Sequence, residues 1–226
     1  MDTIAQTRHE LLQIARENAV FDGWGEAALQ RAIAQSGIEP EHARVAYPRG
    51  AVDLALEFHM SGDRELAEQM AKTDLSNLPY SQRVAKAIEI RLDLIAADRE
   101  AVRKASAYFA LPQHAADGAK AIWNTSDTIW NGLGDTSKDV NWYTKRATLS
   151  AVYSATVLYW LGDESAGFEA THNFIKRRIE NVMQFEKFKS RFRASPFGKA
   201  FANGPGKLFE RIQAPGARDD LPGSIS

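Results

Sequence analysis

Asp139-Val140-Asn141-Trp142-Tyr143-Thr144-Lys145-Arg146 runs without a break into the apolar stretch Ala147–Leu161, and the rest of the chain is organised around this segment. Just upstream stands Trp123-Asn124-Thr125-Ser126-Asp127-Thr128-Ile129-Trp130-Asn131. A short polar break, Gly134-Asp135-Thr136-Ser137-Lys138-Asp139, separates the two. The pattern reads as a helical hairpin. It also holds Trp123, Trp130, Trp142 and Trp160, four of the five tryptophans of the chain. An indole is costly to leave wet and its ring N–H wants a partner. Such a cluster therefore points to a large core, a ligand cavity or a contact surface.

Outward from this hairpin the apolar spacing is helical throughout, and strand alternation bounded by turns is hard to find. The spacing predicts a helix from Asp2 to Ala19, a turn at Phe21–Gly25, and a helix from Glu26 to Ser36 stopped by Gly37. A short helix follows over Pro40–Ala46, with Pro40 at its first position. A long helix runs from Gly50 to Asn77, with a soft spot at Ser61-Gly62-Asp63. The next is capped by Ser81 and carries the stripe Val84, Ile88, Leu92 and Ile95. Arg99–Leu111 follows, and Pro112 opens the helix leading into the tryptophans. The hairpin's second arm spans Asp139–Leu161. A final helix, Ser165–Phe192, carries Phe168, His172, Ile175, Ile179 and Val182 on one face.

The composition narrows the possible functions. The chain has 226 residues, 44% hydrophobic, enough for a sizeable core. A net charge of −1 argues against a protein that coats nucleic acid. There is no cysteine, which excludes disulfides and thiolate metal sites. Ala151–Leu161 contains Ser154 and Thr156 and is well short of the ~20 apolar residues that span a bilayer. The N-terminus reads as neither a secretory signal nor a transit peptide. The pairs Glu39/His42 and Glu169/His172 match half of a di-iron pattern, but the first straddles Pro40, and no metal is expected. No nucleophile elbow, phosphate loop or dinucleotide fingerprint occurs, so no catalytic residue and no cofactor is expected.

The three short N-terminal helices, with a glycine turn between the second and third, form a helix-turn-helix layout. It resembles the N-terminal part of TetR-type regulators. Glu39, Glu41 and His42 surround the would-be recognition helix, with Arg44 its one firm cation. Phosphate contacts supply most non-specific DNA affinity, so no nucleic acid partner is expected.

The hairpin carries a second resemblance. Asp-x-x-Trp at Asp127–Trp130, then Gly-Asp-x-Ser-x-Asp-x-Asn-Trp-Tyr-Thr-Lys-Arg-Ala at Gly134–Ala147, then an aromatic-rich helix is similar to the ubiquinone-biosynthesis lipid-binding accessory proteins, the COQ-nine family. Arg177-Arg178-Ile179-Glu180-Asn181-Val182-Met183 fits that family's last long helix. The resemblance implies an all-α, TetR-like protein that is not an enzyme. It would bind an isoprenoid quinone intermediate, or a phospholipid, and present it to the demethoxyubiquinone hydroxylase at the membrane. It further implies that Asp139, Trp142, Tyr143 and Arg146 meet that hydroxylase, and that the chain works as a homodimer. The expected organisation is a degenerate helix-turn-helix part at 1–49, a helical lipid-binding domain at 50–190 and an amphipathic basic tail at 191–226. A bacterial cytoplasmic protein, peripheral on the inner membrane, is the expected setting. The rival is a TetR-type transcription regulator with an apolar ligand pocket.

Two further residue sets are expected. An apolar cavity between bundle helices would be lined by Ile88, Leu92, Trp123, Ile129, Tyr153 and Val157. From Lys187 to Arg211 the chain has seven cations against one acid, Glu210, with phenylalanines interleaved. That mixture suits a helix lying in a membrane interface, through Phe197, Lys199, Phe201, Lys207, Leu208 and Phe209. Beyond Pro215 the composition predicts disorder.

Overall fold

The sequence's helical periodicity is realised at almost every point. The computed structural model describes the backbone of residues 3–194 and the side chains of residues 3–184. Among the described residues every regular element is helical. The helices are α1 (Thr3–Asp22), α2 (Glu26–Ser36), α3 (Pro40–Ala46), α4 (Ala51–Lys72), α5 (Tyr80–Leu94), α6 (Arg99–Phe109), α7 (Ala115–Gly132), α8 (Val140–Leu161) and α9 (Glu169–Ala194). None of them is long and apolar enough to cross a membrane. The chain forms two compact units, residues 1–74 with 89–128, and residues 75–88 with 129–226. This division falls before α5 and again within α5 and α7.

In the first unit the N-terminal helices pack against α4 and α6. Trp24, in the turn after α1, is buried; its Nε1 donates to the Ala101 carbonyl at 2.9 Å and its ring stacks on Phe58 of α4, centroids 4.4 Å apart. The Tyr47 hydroxyl donates to the Arg8 carbonyl at 2.9 Å, and Arg8 Nε donates to the Ala46 carbonyl at 2.8 Å. Glycines end α1 and α2 where sequence placed turns: Gly23 and Gly37 have φ of 66° and 69°, a region an L side chain adopts only with strain.

The soft spot expected at Ser61–Asp63 is absent, and α4 continues through it. Gly62 is instead a site of close packing. A Cβ there would stand 2.6 Å from the Arg91 guanidinium, whose Nε donates to Asp63 Oδ1 at 3.0 Å. Thr125 Oγ1 completes the buried cluster with 2.9 and 3.0 Å bonds to the two Asp63 oxygens, and His59 Nε2 lies 2.7 Å from Thr125 Oγ1. Burial lowers the His59 pKa; nearby Asp63 opposes this and Arg91 reinforces it. A buried polar network of this kind fixes helix register.

In the second unit α8 packs along α9 over Leu149, Val152, Tyr153, Val157, Trp160, Phe174, Ile175 and Ile179. The start of α9 is later than its spacing predicts, at Glu169. Residues 166–168 form a tight turn in which Gly167 and Phe168 both have positive φ, 60° and 57°. The buried Asp163 carboxylate holds this turn, accepting from Ser165 N and Thr171 N at 2.8 Å each and from both hydroxyls at 2.6 Å. Burial pushes that carboxyl up, but the four hydrogen bonds outweigh it and hold it far below the ordinary range. Two other starts also differ from expectation. Helix α5 begins at Tyr80, directly after Pro79, so Ser81 lies inside it, and Pro112 stays in the turn before α7.

Candidate functional site

The polar break before α8 closes on itself. Gly134, at φ 74°, ends α7 with its N–H on the Asn131 carbonyl, and Asp135 N–H reaches back to the Trp130 carbonyl, both at 3.0 Å. This paired closure satisfies the last carbonyls of α7. Asp139 then caps α8, its carboxylate accepting from Asn141 N at 3.0 Å.

Between these two caps the Asp135 carboxylate gathers the basic residues of α8. Its Oδ1 accepts from Lys145 Nζ at 2.7 Å and from Ser137 Oγ at 2.8 Å; its Oδ2 accepts from Arg146 Nη1 at 3.1 Å. Burial pushes the Asp135 carboxyl up, but Lys145, Ser137 and Arg146 prevail and lower its pKa to about 2. Arg146 is only 1% exposed. It also donates to the Trp142 and Asn131 oxygens, and its guanidinium lies 3.9 Å from the Trp142 ring centre. Trp142 in turn meets Tyr143 edge to face at 4.8 Å. Trp142 and Tyr143 are half-buried and Asp139 is exposed, so three of the four residues expected to meet a partner are accessible to solvent. Arg146 does not; it braces Trp142 from beneath.

One turn along the same helix a cavity of about 310 Å³ opens. Three helix faces line it: Tyr80, Ser81 and Val84 of α5; Asn141, Thr144, Lys145, Thr148, Leu149 and Val152 of α8; and Ile179, Val182 and Met183 of α9. Trp130 at the end of α7 completes it. Its polar side is the rim of Ser81, Asn141, Thr144 and Lys145, and its floor is aliphatic. The Trp130 ring stacks on Tyr80 at 5.9 Å, and Lys145 Nζ stands 5.5 Å from its centre. Burial raises the Tyr80 phenol pKa, partly opposed by Lys145.

None of the six residues expected to line a cavity lines this one. Ile88, Ile129, Tyr153 and Val157 are core of the second unit; Leu92 is core of the first, and Trp123 is half-buried there. Large apolar side chains at helical spacing filled the interior, while the cavity lies where three helices present smaller or polar residues. Its signal is present in the sequence as three short runs, Tyr80/Val84, Asn141/Lys145/Thr148/Val152 and Ile179/Val182/Met183. Each is a single helix face. No single run shows that the three face one another. The six expected membrane residues, Phe197 to Phe209, lie outside the described residues. Among the described residues no three His, Cys, Asp or Glu side chains gather as metal ligands.

Comparison with known proteins covers this same region. Residues 115–186, from the start of α7 into α9, match the COQ9 family. The probable ubiquinone biosynthesis protein coq9, mitochondrial, of Dictyostelium discoideum is 28% identical over 174 residues, 74% of this chain and 57% of that protein. The human ubiquinone biosynthesis protein COQ9, mitochondrial, is 28% identical over 185 residues, 79% of this chain and 58% of that protein. The Schizosaccharomyces pombe protein is 33% identical over 144 residues, 62% of this chain and 56% of that one. The chain thus spans somewhat over half the length of these curated relatives. Among solved structures, a TetR transcriptional regulator from Nitrosomonas europaea superposes with a TM-score of 0.63 at 20% identity, over 78% of this chain and 98% of that one. At that identity the likeness shows the fold. Residues 115–186 thus resemble the COQ9 family, as the motifs around Trp142 had implied, and the helices follow a TetR-like fold.

Proposed function

We propose that this chain is a non-catalytic lipid-binding protein of ubiquinone biosynthesis. It holds an isoprenoid quinone intermediate by its apolar part and offers it to a hydroxylase at the membrane. The observation that carries this reading is the cavity on α5, α8 and α9, whose aliphatic floor and polar rim stand one helical turn from Trp142 and Tyr143. An isoprenoid tail in water costs about 0.8 kcal/mol per CH₂, so a protein that lifts such a tail from a bilayer must give it an apolar surface. A volume of about 310 Å³ is at the lower end of ligand pockets, enough for a ring and the first part of a tail but not for a long chain. The remainder would stay in lipid, which fits the basic, phenylalanine-rich composition from Lys187 to Arg211. Lys145 is the one charged side chain among the described residues lining the cavity, so the site offers no carboxylate or imidazole pair for acid–base chemistry. The naming of these relatives as ubiquinone biosynthesis proteins supports this reading.

The half-buried Trp142 and Tyr143, with exposed Asp139 beside them, form the surface offered to the hydroxylase. Aromatic side chains on a polar rim suit an interface anchor. The test is extraction of the purified protein with organic solvent, followed by mass spectrometry. The reading predicts an isoprenoid lipid in substantial molar ratio to protein. Protein that carries no lipid even after exposure to quinone-containing vesicles contradicts it.

A further inference from the structure

The cavity has one feature that an apolar tail alone would not use. An ammonium group has three N–H donors. Lys145 spends two of them, on Asp135 Oδ1 and Ser137 Oγ, both at 2.7 Å, and no described residue accepts the third. Its side chain is 36% exposed and lines the cavity. Arg146, which shares the Asp135 carboxylate, is buried against Trp142, so Lys145 is the cation of the pair that faces the cavity. Asn141, one turn earlier on α8, the adjacent Thr144, and Ser81 on α5 extend the polar rim. Trp130 and Tyr80, stacked on each other, form a flat aromatic side next to the ammonium. From Lys145 the lining continues along α8 past Thr148 to Leu149 and Val152 and on to Ile179 and Val182 on α9, where it is aliphatic.

We propose that the mouth of this cavity seats an oxygen-bearing ring on the Lys145 ammonium, so that the ligand enters tail first and its ring carbonyl or ether oxygen accepts the third N–H. This rests on the lipid-binding reading and adds to it the orientation of the ligand and the group recognised. A neutral ring suits the site better than a phosphate. The one ammonium N–H left to Lys145 matches a single carbonyl oxygen. A phosphate brings more acceptor oxygens than the rim can satisfy, and the aromatic side of Trp130 and Tyr80 favours a planar partner.

The test compares three probes on the full-length protein by equilibrium dialysis: a short-tailed alkylbenzoquinone, an alkylbenzene with the same tail, and a lysophospholipid with the same tail. Each is measured on wild type, Lys145→Met and Lys145→Arg. The seat predicts that wild type prefers the quinone over the alkylbenzene by about tenfold, the scale of one hydrogen bond to a charged donor. Lys145→Met should remove that preference while keeping alkylbenzene affinity, which also reports that the cavity is intact. Lys145→Arg should retain it. Equal wild-type affinity for quinone and alkylbenzene overturns the seat and leaves lipid binding standing. So does a quinone preference that survives in Lys145→Met, or tighter binding of the lysophospholipid. Failure of all three probes to bind overturns both readings.

Discussion

Asp135 joins the cavity to the Trp142 surface, because Lys145 faces the one and Arg146 supports the other while both bond the same carboxylate. The cost of removing it follows from burial. Replacing Asp135 with Asn leaves Arg146, 1% exposed, without its counter-charge. Breaking one partner of a buried pair costs about 3 kcal/mol, so Asp135→Asn should lower the unfolding free energy by that order in urea titrations at neutral pH. The pH dependence has a definite sign. The folded pKa, about 2, lies below the ordinary 3.8. The stabilisation from this carboxylate is therefore complete above the ordinary value and is lost as pH falls through the folded one. The wild type should lose more stability than Asp135→Asn between these two values. Identical acid limbs for the two proteins would remove the carboxylate from the account. The sequence made Arg146 prominent, but not its role: whether a cation on a helix is exposed or sealed depends on the loop that folds over it.

Along each helix, local signals were legible where the cause was local. Gly37 after α2, Pro40 opening α3 and Asp139 capping α8 all stand where their chemistry predicts. Gly62 does not, because its meaning lies in Arg91, on another helix. In an ordinary helix interior Gly→Ala stabilises by about 1 kcal/mol. Here the added Cβ meets a guanidinium that is 2% exposed and held by Asp63. Gly62→Ala should therefore destabilise by about 1–3 kcal/mol, the usual cost of overpacking, seen as a lower melting temperature. A raised melting temperature would return Gly62 to the weak-point reading. The late start of α9 has the same kind of cause, since the Asp163 bonds to Ser165 and Thr171 cannot be read from helical spacing.

For the molecule as a whole, the motifs from Trp123 onward were sufficient to reach the helical class and the similarity to the COQ9 family over residues 115–186, because a long specific run carries more information than any periodicity. The cavity was not legible, since it needs three helix faces brought together, and of the six apolar residues expected to line it five are core while Trp123 is half-buried. The sequence of the tail still makes a prediction of its own. Seven cations and interleaved phenylalanines between Lys187 and Arg211 should bind anionic vesicles, each cation contributing about 1 kcal/mol near the surface. Truncation before Pro196 removes Lys199, Lys207 and Arg211 with three phenylalanines and should weaken sedimentation with phosphatidylserine vesicles while leaving the melting temperature close to wild type; equal sedimentation of the two forms would remove residues 196–226 from the mechanism. The claim that this cavity holds the lipid is tested most directly by filling it. Thr148 lines the cavity from an exposed position on α8, so Thr148→Trp should occupy the space at little cost to folding. The decisive measurement is the molar ratio of lipid to protein after purification, wild type against Thr148→Trp, with melting temperatures compared alongside. The account predicts a fall of about tenfold in bound lipid, from the loss of its apolar contacts, with the melting temperature close to wild type. Unchanged lipid content in the folded variant would contradict it.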